Sequence, residues 1–425
     1  MKIKESIILD QKVYEKKLKN GLHVILVPDK KYNNTFVTYS TKFGSLDSEF
    51  KINGKMVKVP LGVAHFLEHK MFEIEDGTDA FEYFHERGAE CNANTSHTKT
   101  TYLFSGINKF EENLEFLLSY VEEPYFTDEN VEKEKGIIEQ EIMMYRNRPY
   151  ENIYNGLFKN LFINHPYKYP IIGTKESVYS ITKEDLYACY NTFYHPSNMF
   201  IVITGNIDLE STLKLIEEHE EKRKLGEAPT IVRKEFDEPD EVVKSNETME
   251  LDVTVPKFAL SYKINVENIK KMSPSDLYFI MFQIFQIKLG STNLFSEKLM
   301  KKGLIHRNFD IDITKANKHF ILTIDNESEN VDEVIKLLKE ELKDLVITEE
   351  EFNRRKKIEI SSLLFNSDSI VKINQLIMNS IIEYNDIHKD PLGRIKKFTM
   401  DDVNYIIDNI KLDTTSTFTV IPNKK

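Results

Sequence analysis

The sequence carries the same pattern of strands and helices twice, and this internal repeat limits the fold more than any other feature. Each copy has a short helical stretch ending at a glycine, then a strand, a polar turn and an amphipathic helix, then a longer polar helix. Thr127 and Thr348 precede the last helix of each copy, and both are predicted N-caps. We therefore predict one unit of about 200 residues, duplicated in tandem. The matched segments are 79–88 with 293–303, 100–118 with 318–338, and 126–141 with 347–362.

The composition changes between the two copies, where 226–248 is rich in charged residues and contains proline. This stretch is predicted to be a linker between a first unit over 1–225 and a second unit over 249–425. Strand-like runs such as 21–29 and 198–208 alternate with helical patterns along the chain. Each unit is therefore predicted to be a sheet with helices packed on it, which makes the fold class α+β.

The overall charge argues against a nucleic-acid partner. The 425 residues carry a net charge of -12 with a pI near 5.6 and show no clustered basic face. No apolar run approaches the roughly 18 residues that spanning a bilayer requires, and the amino terminus has no signal-like apolar stretch. The expectation is a cytoplasmic protein without membrane insertion. Cys91 and Cys189, with no CxxC partner, are expected to be bystander thiols.

The stretch HFLEH at 65–69 is the strongest chemical signal in the sequence. On a helix, His65 and His69 are one turn apart on one face, so both imidazoles can reach the same metal ion. Glu68 is also on that face, where it can act on water beside the metal, and the order is the inverted HxxEH motif. The second copy has the apolar segment 278–290 at the equivalent place, without histidine or acid. The histidines are therefore explained by chemistry confined to the first copy.

A catalytic zinc site needs a third protein ligand, and the acid-rich helical pattern at 130–149 offers candidates. Glu134 and Glu141 are seven residues apart and share a face. One of them is predicted to ligate and the other to orient a histidine, but the spacing does not decide between them. The alternative is that both are solvated acids that pair with Lys133 and Lys135.

The histidine motif and the acid-rich stretch together resemble a known family. HFLEH, followed by EKGIIEQE at 134–141, is similar to the pitrilysin/insulinase family of inverzincin zinc metallopeptidases. The stretches ECNANTS (90–96), HPYKYPIIGT (165–174) and YNTFYHPSNMFIVITGNID (190–208) resemble family blocks in the same order. The details look most like a bacterial two-domain branch that works with a companion peptidase-like subunit. The resemblance implies that the chain is half of a clamshell chamber.

The resemblance also implies a role for each matching residue. His65, His69 and Glu141 become the ligands of one Zn2+ per chain, Glu68 the general base, and Glu134 the acid that orients a metal-binding histidine. The implied activity is zinc-dependent endopeptidase hydrolysis of peptides or unfolded segments in a closed chamber. The alternative is a non-catalytic peptide-binding or assembly subunit.

The family further implies that the strand containing Asn92 and Ala93 holds an extended peptide by edge pairing. Taken without the family, Asn92 is more simply a turn residue.

The second copy departs from the family at one place. Active members draw an arginine and a tyrosine, seven residues apart, from a later domain, but the aligned positions here hold Glu297 and Leu304. Lys298 and Arg307 are nearby donors, although neither is at the matching place. The expectation is a heterodimer with a paralogous peptidase-like chain that supplies the missing pair, with a homodimer as the second option.

Overall fold

The computed structural model describes residues 3–423, and these residues form fifteen strands and fifteen α-helices. The strands are β1 (Lys4–Ile8), β2 (Gln11–Lys17), β3 (His23–Pro28), β4 (Thr35–Thr41), β5 (Glu49–Ile52), β6 (Lys55–Lys58), β7 (Ala89–Thr95), β8 (Thr100–Gly106), β9 (Met199–Gly205), β10 (Ile231–Arg233), β11 (Asn246–Leu251), β12 (Lys257–Asn265), β13 (Asp310–Ala316), β14 (His319–Glu327) and β15 (Thr415–Pro422). The helices are α1 (Val63–Lys70), α2 (Ala80–Glu86), α3 (Phe110–Glu122), α4 (Asp128–Tyr145), α5 (Pro149–Leu161), α6 (Lys175–Ser180), α7 (Lys183–Phe193), α8 (Leu209–Lys222), α9 (Pro274–Leu289), α10 (Leu294–Lys301), α11 (Val331–Lys343), α12 (Glu349–Ser367), α13 (Ile370–Tyr384), α14 (Pro391–Lys397) and α15 (Met400–Asn409).

The chain forms two compact units, and each has its own main sheet. Unit 1 contains a seven-stranded sheet in the order β1-β2-β3-β9-β4-β8-β7 and a small sheet of β10, β5 and β6. Unit 2 contains a five-stranded sheet in the order β11-β15-β12-β14-β13. The described residues of unit 1 lie in Met1–Ile142, Pro170–Lys234 and Ser362–Leu392, and those of unit 2 in Met143–Tyr169, Glu235–Ser361 and Gly393–Lys425.

The two sheets share one topology, as the sequence repeat predicts. The order β3-β9-β4-β8-β7 in unit 1 corresponds strand by strand to β11-β15-β12-β14-β13 in unit 2. In each unit one pair is parallel, β3 with β9 and β11 with β15, and the remaining pairs in the matched set are antiparallel. The predicted α+β fold of two homologous units is confirmed.

The long polar helix of each copy begins with the same kind of N-cap. Backbone amides of Asn130 and Glu351 donate to the hydroxyl groups of Thr127 and Thr348, at 3.1 and 3.3 Å, at the starts of α4 and α12. Both threonines therefore cap their helices as predicted.

Two equivalent helices are exchanged between the units. Helix α5 follows the first copy in sequence but packs on β12 and β15 of unit 2, and α13 packs on β4 and β9 of unit 1. A side chain at Gly156 of α5 would collide with the Phe418 ring, because a Cβ there would lie 2.1 Å from it. The Asn374 amide of α13 donates to the Val202 carbonyl at 2.9 Å. The predicted units, 1–225 and 249–425, assign α5 to the first unit and α13 to the second. In the structure each helix belongs to the other unit.

The predicted linker, 226–248, is held by both units along its length. Strand β10 pairs with β5 in unit 1, whereas the carboxylate of Glu238 is buried in unit 2. There the ammonium of Lys263 donates to Glu238 at 2.7 Å and to the carbonyl oxygen of Leu161 at 3.0 Å. Three consecutive backbone amides, those of residues 163–165, also donate to Glu238. The segment is therefore an ordered part of each unit's packing.

The helix that follows the first strands of each copy differs in character between the two units. In unit 2 this helix is α9, whose Ile280, Met281, Ile284 and Phe285 are buried in the core. In unit 1 it is α1, which carries the histidines. Among the described residues, no helix combines the length and the apolar character that crossing a membrane requires.

Candidate metal centre

Helix α1 holds the two histidines on its less buried face. Its apolar side chains Phe66 and Leu67 are fully buried, and the helix packs on α7, β7 and β8. The helix begins at Gly62, whose φ of 87° and close approach to the Ile172 carbonyl leave no room for a side chain. Burial of one face leaves His65 and His69 together on the other, with ring centroids 4.6 Å apart.

Helix α4 brings both predicted acids to these histidines. Nδ1 of His69 lies 2.9 Å from Oε1 of Glu134, within hydrogen-bonding distance. The other ring nitrogen, Nε2, lies 3.4 Å from Oε2 of Glu141, and Nε2 of His65 lies 3.8 Å from the same oxygen. Glu141 therefore faces both imidazoles, while Glu134 contacts the opposite nitrogen of the His69 ring. This arrangement is the one expected if Glu141 is the ligand and Glu134 the orienting acid.

The donor set fits a zinc ion. The candidate ligand atoms of His65, His69 and Glu141 all lie within 4.8 Å of one another. Zinc with bonds of roughly 2.0–2.2 Å to nitrogen and oxygen in a tetrahedral arrangement places its ligands about 3.3–3.6 Å apart. The measured separations of 3.4 and 3.8 Å are close to that requirement. Glu134 also occupies Nδ1 of His69, which leaves Nε2 available to the metal.

The electrostatics of the two imidazoles differ, although they are neighbours. Burial, reinforced by the nearby charge of His69, lowers the pKa of His65 to about 4, so this ring stays neutral and able to ligate. Burial alone would lower the pKa of His69, but hydrogen bonds to Glu134 and Glu141 raise it to about 9. The acids therefore favour a positive charge at this point. Zinc has to displace that proton, so zinc affinity is expected to fall as the pH falls.

Glu68 lies beside this cluster, where Thr95 holds one of its oxygens. The side chain is buried, and Oγ1 of Thr95 donates to Oε2 of Glu68 at 2.5 Å. Burial raises the pKa of Glu68, while hydrogen bonds from the Thr95 side chain and backbone oppose that rise. A carboxylate with a raised pKa is a better proton acceptor near neutral pH than an exposed one.

The buried ammonium group of Lys70 lies close to the acidic side chains of the site. Lys70, the last residue of α1, is 1% exposed, and its ammonium pairs with the carboxylate of Glu73. The same ammonium lies 4.0 Å from Oε2 of Glu134. A buried cation at this distance offsets part of the negative charge that Glu134 and Glu141 bring to the site.

Comparison with known proteins places this geometry in a family. The family model described as "Insulinase (Peptidase family M16)" matches residues 58–175, and the one described as "Peptidase M16 inactive domain" matches residues 180–359. A Bacillus subtilis protein described as the uncharacterized zinc protease YmfH is 35% identical over 97% of each chain. The chain belongs to peptidase family M16. Zinc is therefore the metal associated with its named relatives.

Solved structures of the M16 family agree with this assignment. A chain from Alicyclobacillus acidocaldarius, described as an M16-like peptidase, superposes with a TM-score of 0.91 at 30% identity, covering 98% of this chain and 100% of that one. Pitrilysin, at 16% identity and a TM-score of 0.76, shows the same fold. Here 98% of this chain matches 45% of the pitrilysin chain. The M16 fold of this protein thus corresponds to about half of pitrilysin.

Strand β7 of this M16 chain carries the residues proposed to contact substrate. It ends the order of the seven-stranded sheet and pairs with β8, so its other edge is open among the described residues. Asn92 and Ala93 lie opposite Leu103 and Tyr102 in this pairing. The backbone amide of Ala93 donates to the side-chain oxygen of Asn92 at 2.8 Å. Asn92 is therefore in a strand, not in a turn.

Two residues of the M16 site carry no signal in the sequence that points to their role. Thr95 lies inside the stretch ECNANTS, but its contact with Glu68 depends on the packing of β7 against α1. Lys70 follows the motif directly, and nothing in its spacing indicates that a lysine there is buried. The contact of Thr95 with Glu68 and the approach of Lys70 to Glu134 both arise from tertiary packing.

Proposed function

We propose that this chain is a zinc-dependent endopeptidase that cleaves peptides or unfolded segments. The observation that carries the proposal is the convergence of three donor atoms, from His65, His69 and Glu141, beside the buried carboxylate of Glu68. A family assignment alone does not distinguish active from inactive members. A complete donor set with an adjacent base is what metal-assisted hydrolysis requires.

The proposed mechanism assigns a task to each residue of the site. His65, His69 and Glu141 would hold zinc, which polarises a peptide carbonyl and lowers the pKa of water. Glu68 accepts the proton from the attacking water and then delivers it to the nitrogen of the departing amine. Glu134 keeps the His69 ring in the orientation that presents Nε2 to the site.

The open edge of β7 is proposed to bind the peptide in an extended conformation. Main-chain pairing with a sheet edge recognises any sequence and leaves selectivity to the side-chain pockets. The Ala93 amide, which donates to Asn92 in this structure, is available to a substrate carbonyl once the Asn92 side chain moves. This places the peptide on a strand that packs against α1, the helix that carries Glu68.

A partner chain is proposed to complete the active site. Glu297 in unit 2 is exposed and pairs with Lys301, and Leu304 is buried, so neither is a donor for a reacting carbonyl. Arg307 is engaged by the carboxylates of Asp310 and Asp325. These contacts leave Arg307 poorly suited to replace the missing arginine. The proposal is a heterodimer with a paralogous peptidase-like chain that supplies an arginine and a tyrosine and closes a chamber.

The competing function is a non-catalytic peptide-binding or assembly subunit. The match to an inactive domain covers residues 180–359, whereas all of the proposed metal residues lie within the 58–175 match. A subunit that had lost catalysis would have no need to keep all four of His65, Glu68, His69 and Glu141 in one cluster. The retained set therefore favours the enzyme.

The variant Glu68→Gln tests the proposal, because glutamine keeps the shape of the side chain but cannot accept a proton. We expect one zinc per chain in both wild type and variant, with hydrolysis of an unfolded fluorogenic peptide reduced about 100-fold or more in the variant. Metal content and turnover would be measured with and without the companion chain. Glu115→Gln, an exposed acid on α3, is the matched control and should retain activity.

Two results would count against the enzyme. Unchanged hydrolysis in Glu68→Gln would remove Glu68 from the mechanism. A zinc-loaded wild-type complex that binds unfolded peptides without cleaving them would favour the non-catalytic subunit.

A further inference from the structure

We propose that Thr95 is the positioning residue that fixes the base Glu68, so that the strand proposed to bind the peptide also sets the base. The proposal rests on the proposed function, because it concerns how Glu68 is held for proton transfer. Thr95 would act through Glu68 and would not touch the substrate itself. Its role follows from its hydrogen bond to Glu68 and from the bonds that hold the hairpin on which it lies.

The contact between Thr95 and Glu68 is a short side-chain hydrogen bond. The Thr95 hydroxyl donates to Oε2 of Glu68 at 2.5 Å. A glutamate side chain has three rotatable bonds, so its carboxylate can take several orientations unless a donor holds it. The bond to Oε2 limits those orientations and leaves Oε1 as the oxygen able to exchange a proton.

Thr95 precedes the turn between β7 and β8, which several hydrogen bonds stabilise. It is the last residue of β7 and lies opposite Thr100 of β8, whose hydroxyl donates to the Phe43 carbonyl at 3.0 Å. Within the turn, the Ser96 amide donates to the Lys99 carbonyl at 2.8 Å. The Ser96 carbonyl in turn accepts from the amide of Ser45 at 3.1 Å. These bonds hold the backbone of the turn, from which the Thr95 side chain reaches Glu68.

The position of Thr95 along β7 connects the base with peptide binding. Thr95 and Ala93 are two residues apart and therefore point to the same side of the strand. Displacement of this strand would move both the proposed peptide edge and the donor to Glu68. Because errors of about 1 Å in the placement of a catalytic group can cost roughly 100-fold in rate, the hydroxyl is expected to affect turnover more than binding.

The test compares Thr95→Val with Thr95→Ser in the complex with the companion chain. Valine has the shape of threonine without the hydroxyl, whereas serine keeps the hydroxyl and loses only a methyl group. We expect kcat to fall about 10- to 100-fold in Thr95→Val with KM changed less than about two-fold, and Thr95→Ser to recover most of the loss. Zinc content should remain one per chain throughout. Thr98→Val, at an exposed position in the same turn, is the control.

A second measurement does not depend on hydrolysis. In the zinc-free chain, the effects of Thr95→Val and Glu68→Gln on the urea midpoint should be non-additive, because the two side chains contact each other. Additive effects, wild-type kcat in Thr95→Val, or no recovery in Thr95→Ser would overturn the proposal. Absence of hydrolysis in the wild-type complex would instead refute the proposed function, and the urea cycle would still decide whether Thr95 fixes Glu68.

Discussion

Replacing Glu141 by glutamine is expected to lower zinc affinity by more than about 100-fold and to abolish peptide hydrolysis. Oε2 of Glu141 lies 3.4 Å from Nε2 of His69 and 3.8 Å from Nε2 of His65, so it is the third donor atom of the proposed zinc site. A neutral amide is a much weaker zinc ligand than a carboxylate. Loss of an orienting outer residue typically costs about 10- to 100-fold in metal affinity, and loss of a ligand should exceed that.

A graded series makes this prediction specific. Glu134→Gln, which alters only the partner of His69 Nδ1, should weaken zinc binding about 10- to 100-fold. Glu139→Gln should bind zinc as wild type does, because Glu139 pairs with Lys175 and Tyr179 away from the cluster. The affinities would be measured by competition with a chromophoric chelator at fixed pH. Equal zinc affinity for Glu141→Gln and Glu139→Gln would rule out Glu141 as a ligand.

Replacing Glu238 by alanine is expected to destabilise unit 2 by about 3–5 kcal/mol, the typical result of removing one partner of a buried ion pair. The side chains of Glu238 and Lys263 are both fully buried, and the substitution leaves the ammonium without its carboxylate. Burial alone would raise the pKa of Glu238, but hydrogen bonds from Lys263 and three backbone amides hold it below the ordinary value. The carboxylate is therefore ionised in the folded chain, and all of these donors lose their acceptor in the variant.

The stability prediction has a matched control in the neighbouring residue. Asp237 is fully exposed and lies 3.9 Å from Lys318, so Asp237→Ala should change the unfolding free energy by less than about 0.5 kcal/mol. Urea unfolding, followed by circular dichroism, measures both variants. A Glu238→Ala midpoint equal to that of Asp237→Ala would mean that the buried pair does not stabilise the unit. Replacing Lys263 together with Glu238 by apolar residues should recover only part of the loss, because the backbone amides of residues 163–165 still lack their acceptor.

Local patterns in the sequence were enough to predict the repeated unit. The pairs 100–118 with 318–338 and 126–141 with 347–362 became equivalent elements, because hydrophobic period and N-caps act within a few residues of each other. The exchange of α5 and α13 between the units was not predicted. Each is an ordinary amphipathic helix, and the choice of sheet depends on close packing such as Gly156 against Phe418, which no local pattern encodes.

In the candidate site, too, local sequence patterns predict some residues, whereas others depend on tertiary packing. His65, Glu68 and His69 lie within one helical turn or so of each other, and the helix alone puts them on one face. Glu134 and Glu141 could be paired by their spacing, but their separate positions relative to His69 required α4 to pack beside α1. Thr95 reaches Glu68 across 27 residues of sequence, and only the placement of β7 brings them together.

The position of zinc in a crystal of this chain tests the proposed metal centre most directly. Anomalous diffraction recorded on both sides of the zinc absorption edge would locate the ion independently of any catalytic assay. We expect one strong peak about 2 Å from Nε2 of His65, Nε2 of His69 and a carboxylate oxygen of Glu141. A zinc peak elsewhere, or full occupancy at this place in Glu141→Gln, would contradict the proposed metal centre and the chemistry built on it.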